Sequence, residues 1–150
     1  MKEKLLISAC LCGKNTKYNG GNNLIEKIFE LEKKYDLYLV CPEVDGGLPV
    51  PRVPSEIVGD KVLNKELIDV TKEFNVGANN ALKVVIANDI KRALLKDGSP
   101  SCGVSTIYDG TFSGSKIEGS GVTVKLLKDF GVKVYSENDI DELLKWKRFV

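Results

Sequence analysis

Histidine is absent from the 150 residues of this chain. With it go the commonest side-chain proton shuttle and the commonest nitrogen ligand for a metal. Any acid-base chemistry must be carried by carboxylates, hydroxyls, thiols, Lys or Tyr. An excess of one charge is also missing: 22 Lys and Arg stand against 21 Asp and Glu, for a net charge of +1. Such a balance gives no broad field for long nucleic acid or an anionic membrane, so a charged binding site must be local. No apolar run approaches the roughly 18 residues that a membrane helix requires. Residues 1–10 have the outline of a lipoprotein leader ending at Cys10, but the apolar stretch 5–9 is shorter than the roughly 7 to 15 residues of such leaders. It reads instead as the first strand of a cytoplasmic protein. What the chain does have is 43% apolar residues, enough to bury a core, and a single domain spanning 1–150 is expected.

After the strand at 5–9 comes a loop rich in Gly and Asn, then a helical pattern through Leu24, Ile25, Ile28, Phe29 and Leu31 to about Tyr35, and a second strand at 37–40. Pro42, Pro49, Pro51, Pro54 and Gly46-Gly47 predict a shaped loop over 41–56, with no helix and no central strand. Ile57-Val58 and Val62-Leu63 flank Gly59-Asp60-Lys61 as a small peripheral hairpin. One helix is expected over 71–88 despite Gly77, a third strand at 93–95, and a hairpin over 107–112 turning at Asp109-Gly110. A helix follows from Val122 to Gly131, then a fourth strand at 132–135, and Ser136 to Asp139 reads as a capping box that opens the last helix. This alternation predicts an α/β fold, a small Rossmann-like three-layer sandwich with a mostly parallel sheet.

Of the 4 cysteines, Cys10 follows the first strand, Cys41 follows the second, and Cys102 lies in the loop after the third. In an open parallel sheet those loops share the carboxyl edge, where ligands bind. Soft thiolates converging there suit an iron-sulfur cluster. Three ordinary buried cysteines fit the spacing as well. Structural zinc fits less well, because it prefers close Cys pairs and four protein ligands. Cys10-Leu11-Cys12 is the only close pair. If the strand continued through it, both thiols would point the same way, leaving Cys12 as a fourth ligand, a redox partner or a packed residue.

Several motifs occur in order: Ser8-Ala9-Cys10-Leu11-Cys12-Gly13, Cys41-Pro42-Glu43-Val44-Asp45-Gly46-Gly47-Leu48, Pro51-Arg52, Ser99-Pro100-Ser101-Cys102-Gly103 and Tyr108-Asp109-Gly110-Thr111-Phe112-Ser113-Gly114. Together they resemble the thiouracil desulfidase family from the first strand to about Ser136. The resemblance implies a 4Fe-4S cluster held by Cys10, Cys41 and Cys102 with one iron open to substrate, and a nonredox removal of sulfur from thiolated uracil. Glu43 and Ser101 fall on the family's proton-handling positions. Cys12 stands where relatives commonly carry an aliphatic residue, and Asn19 where an Asp is common.

A thiolated nucleobase as substrate makes a further reading possible. Gly119-Ser120-Gly121 opens a helix and so offers backbone donors to an anion, with Arg52 and Lys17 as cationic helpers. 4-Thiouridine 5'-monophosphate is then expected to fit at least as well as free thiouracil. Two other readings compete with the enzyme: a noncatalytic sulfur or iron-sulfur carrier, and an iron-free dithiol oxidoreductase using Cys10 and Cys12.

Overall fold

The computed structural model describes residues 2–146. Its centre is a four-stranded sheet built from β1 (Glu3–Ser8), β2 (Tyr35–Val40), β5 (Arg92–Leu95) and β8 (Lys133–Ser136), in the order β2-β1-β5-β8 and parallel throughout. Alternate residues feed opposite faces. Leu6, Ala93 and Leu95 pack with Ala81, Val85, Val124 and Leu127 from α3 (Thr71–Asn88) and α4 (Val122–Phe130). Leu5, Ile7 and Leu94 pack with Ile28 and Leu31 of α1 (Ile28–Lys34) and Leu143 of α5 (Ile140–Lys145). Two helical layers thus enclose the sheet, as the strand-helix alternation requires. Burial on both faces is why these strands read as continuous apolar runs.

Several local expectations are corrected. The first helix does not begin at Leu24: Asn23 and Ile25 donate their N–H groups to the carbonyls of Cys10 and Leu11, so the chain is still fastened to the preceding turn. Only Ile28 and Leu31 of the apolar pattern are buried in α1, and Phe29 is exposed. The strand after Ser8 stops in a 3-10 turn, Ala9–Cys12, closed by Gly13 in the left-handed region, so strand alternation does not govern Cys10 and Cys12. The proline-rich stretch contains a one-turn helix, α2 (Pro42–Asp45), because Pro42 occupies its first position, where no N–H partner is needed.

The hairpin β3 (Ser55–Val58) and β4 (Lys61–Asn64) forms as expected but is not peripheral, since Ser55 and Glu56 reach the cavity described below. In the next hairpin, β6 (Thr106–Tyr108) pairs with β7 (Lys116–Glu118) across a long 109–115 loop, and Phe112 sits at positive φ. The tight Asp109-Gly110 turn is overridden because Glu56 captures the N–H groups of both Gly110 and Phe112. The helix over 71–88, the Gly131 stop and the Ser136 capping box appear as the sequence predicts. No helix among the described residues is long and apolar enough to cross a membrane.

Candidate active site

The chain runs from β1 to β2 on one side and then crosses to β5 on the other, which opens a crevice at the carboxyl ends of these strands. A cavity of about 430 Å³ occupies it, and Cys10, Cys41 and Cys102 all line its wall. Cys12 does not line it; its thiol packs against the core under α1, and burial together with the Glu32 charge pushes it up to about 11. All four cysteines are unpaired. The three cavity thiols come from three separate loops behind different strands. A polynuclear cluster, whose thiolates bind separate irons, suits ligands supplied in this way.

Burial pushes the Cys10, Cys41 and Cys102 thiols up, and nearby negative charge adds to it: Cys41 acts on Cys10, Glu43 acts on Cys41, and Glu43 with Cys41 and Cys10 acts on Cys102. Each also has a polar group nearby that favours the thiolate. Asn23 Nδ2 donates to Cys10 Sγ at 3.4 Å. The Ser8 hydroxyl acts on Cys102, and its oxygen is held by the Lys96 N–H at 3.0 Å. Beside Cys41 the Val44 N–H is the larger group favouring the thiolate, and the nearby Thr16 hydroxyl is buried without a hydrogen-bond partner among the described residues. One donor for each sulfur and an orphaned hydroxyl fit a group that brings charge-balancing iron and additional sulfur acceptors.

Glu43 lies two residues beyond Cys41 because α2 turns it back into the cavity. Its Oε1 accepts from Arg52 Nε at 3.2 Å, an ion pair with little solvent exposure. Its Oε2 accepts from the Ser99 hydroxyl at 3.3 Å. Arg52 also donates to the Pro49 and Thr16 carbonyls at 3.1 and 3.0 Å, so it braces two loops as well as the carboxylate. The Ser101 hydroxyl, expected to handle a proton, is fully buried and pairs at 2.7 Å with the equally buried Thr123 hydroxyl on α4. It does not line the cavity. Ser99 does, and its oxygen also accepts from the N–H groups of Ser101 and Cys102. The two serines flank Pro100, and spacing alone does not tell which side chain faces inward.

The anion site expected at Gly119-Ser120-Gly121 is also corrected. The N–H groups of Gly119, Gly121, Val122 and Thr123 are taken by the carbonyls of Ser105, Gly103, Pro100 and Ser101, and the Ser120 hydroxyl donates to Val104. The glycines serve close packing, since a Cβ on Gly121 would overlap the Ser101 carbonyl. None of the three lines the cavity, whereas Lys17 and Arg52 do, joined by Lys96 and Lys116. Asp97 escaped the sequence reading altogether. Its Oδ1 accepts from the N–H groups of Gly98, Val104, Ser105 and Thr106, and its Oδ2 accepts from the Ser105 hydroxyl, which shapes the loop bearing Ser99 and Cys102. A local Asp-Gly signal was present, but the three N–H donors at Val104, Ser105 and Thr106 were not legible.

Comparison with known proteins bears on the family and the fold. The model of the 2-thiouracil desulfurase family matches residues 5–139. The uncharacterized protein YbbK of Bacillus subtilis (strain 168) is 40% identical, over 93% of this chain and 99% of its own length. The solved structure of the 4Fe-4S-dependent thiouracil desulfidase TudS superposes with a TM-score of 0.90 at 43% identity, covering 95% of each chain. The chain belongs to the 2-thiouracil desulfurase family.

Proposed function

We propose that this protein is a cytoplasmic, single-domain desulfidase that uses a 4Fe-4S cluster to replace the sulfur of a thiolated uracil with oxygen, taking thiouracil or 4-thiouridine 5'-monophosphate. The observation that carries this reading is the convergence of Cys10, Cys41 and Cys102 on one cavity with the Glu43 carboxylate among them. These three thiolates are the ligands, and Cys12 is a packed residue. When bound, the cluster supplies through its open iron a Lewis acid for the thiocarbonyl sulfur. The reaction is hydrolytic: thiocarbonyl and water give carbonyl and hydrogen sulfide, with no electron exchanged.

Glu43 is oriented by Arg52, so its free lone pairs can take a proton from water as that water attacks the carbon. Ser99, hydrogen-bonded to the same carboxylate, is placed to hand a proton on towards the departing sulfur. Ser99 therefore takes the role first expected of Ser101. Lys17 and Lys116 line the cavity without an ion pair among the described residues and can meet the phosphate of a nucleotide substrate.

The test is anaerobic assembly of the cluster followed by iron, sulfide and turnover measurements. About four irons and four sulfides per chain are expected. Alanine at Cys10, Cys41 or Cys102 should lose them, while Cys12→Ala keeps most. Many hydrosulfides per cluster from 2-thiouracil or 4-thiouridine 5'-monophosphate mark an enzyme, whereas a carrier delivers about one and stops. Zinc in place of iron, or activity in iron-free protein, would sink the proposal.

A further inference from the structure

Glu56 is a buried carboxylate on β3, only 8% exposed, and it lines the cavity. Its Oε1 accepts from the N–H groups of Gly110 at 2.9 Å and Phe112 at 3.2 Å, which fastens the 109–115 loop to β3. That approach requires glycine at 110, where a Cβ would meet the Ile57 carbonyl oxygen at 2.7 Å. Among the described residues Oε2 accepts no hydrogen bond, and no Lys or Arg pairs with this carboxylate. Oε2 is not among the buried polar atoms that lack a partner, so it keeps lone pairs that water or a ligand can reach. Glu56 lines the cavity, so a donor on a bound ligand can complete this carboxylate there.

Resting on the desulfidase reading above, we propose that Glu56 Oε2 accepts the ring N3–H of the thiolated uracil and thereby selects pyrimidines that carry a proton at that nitrogen. N3 lies between the two carbonyl or thiocarbonyl carbons and keeps its hydrogen both in the free base and in the nucleotide, so this contact is common to the two substrates. A cytosine-type ring presents a lone pair at N3 instead. Against a carboxylate held in place by a strand and a fastened loop, that lone pair is repelled and the carboxylate stays unsatisfied, which is the arrangement that gives strong rejection. Tyr108, on the strand that leads into the same loop, lines the cavity beside it.

The experiment compares 2-thiouracil, 3-methyl-2-thiouracil and 2-thiocytosine on cluster-loaded wild type and Glu56→Gln. The glutamine keeps one carbonyl oxygen for the loop and turns an NH₂ towards the cavity. KM for 2-thiouracil should rise about 10- to 100-fold while kcat changes little, and the preference over 2-thiocytosine and the 3-methyl compound should shrink by a similar factor. An unchanged KM, or full wild-type discrimination in the variant, overturns the assignment. If Glu56→Gln fails to fold, Glu56→Asp provides the same KM test, and calorimetric binding of uracil against 3-methyluracil to wild type needs no variant; equal affinities overturn the proposal. Absence of any wild-type turnover overturns the desulfidase reading and this inference together, whereas turnover with unaltered discrimination overturns the inference alone.

Discussion

Glu43 and Ser99 are joined by a hydrogen bond, and the proton-handling roles proposed for them can be separated by substitution. Glu43→Gln retains volume and a hydrogen-bond acceptor for Arg52 but cannot take a proton from water. The cluster spectrum should persist while kcat falls about 10²- to 10⁴-fold, as measured by product formation at saturating substrate. Ser99 and Ser101 should respond differently to alanine. Ser99→Ala removes the donor to Glu43 Oε2 and the acceptor for two loop N–H groups, so turnover per cluster should drop. Ser101→Ala instead strands the Thr123 hydroxyl in the interior, which should lower stability by about 1–3 kcal/mol in urea melts while turnover per assembled cluster holds. The reverse pattern would restore Ser101 as the catalytic hydroxyl.

At the scale of elements, α2 owes its position to a glycine on another helix. Gly77 of α3 faces the Pro42 carbonyl so closely that a Cβ there would overlap it, and Gly46 is pressed against the Glu73 carbonyl in the same way. Gly77→Ala, normally favourable inside a helix, should here push away the turn that carries Glu43 and follows Cys41. We expect a stability loss of about 1–3 kcal/mol with weakened iron retention, measured by denaturation and iron content. The loop bearing Ser99 and Cys102 depends on Asp97. Burial raises that carboxyl, but the donors from Thr106, Ser105 and Val104 outweigh it and hold the group at about 2, against an ordinary 3.8. A depressed acid stabilises the fold above its unfolded value and loses that contribution as pH falls towards about 2. In iron-free protein, Asp97→Asn should therefore be less stable than wild type at neutral pH, and the gap should narrow below about pH 4. A gap independent of pH would mean that the carboxylate charge is not what orders the loop.

Across the whole molecule, the three cavity thiols arrive from loops behind three different strands, so a group bound to all of them exists only on the folded chain. Cluster assembly should then act as a ligand that stabilises the native state. For a ligand present at about a thousand times its dissociation constant this is about 4 kcal/mol, or about 10 °C in Tm for a chain of this size. Calorimetry of anaerobically assembled and chelator-stripped protein measures it. Identical melting temperatures would mean that the thiols do not share one group.

Much of this architecture was legible because it is written in local periodicity. The apolar runs of β1 and β5, the helical pattern over 71–88, the Gly131 stop and the Ser136 cap each depend on residues a few positions apart, and their alternation carries the parallel sheet with it. The placement of Cys10, Cys41 and Cys102 after strands followed from the same logic, since parallel strands put their exits on one edge. Only the tertiary structure decided which serine beside Pro100 faces the cavity, that the N–H groups around Gly119-Ser120-Gly121 are already occupied, and that Glu56 turns a two-residue hairpin into a long loop. In each case the deciding partner lies far along the chain: Ser99 meets Glu43 across 56 residues and Glu56 meets Gly110 across 54. Spacing within a motif fixes backbone form, but the direction of a loop side chain is set by whichever distant donor or acceptor the fold brings against it.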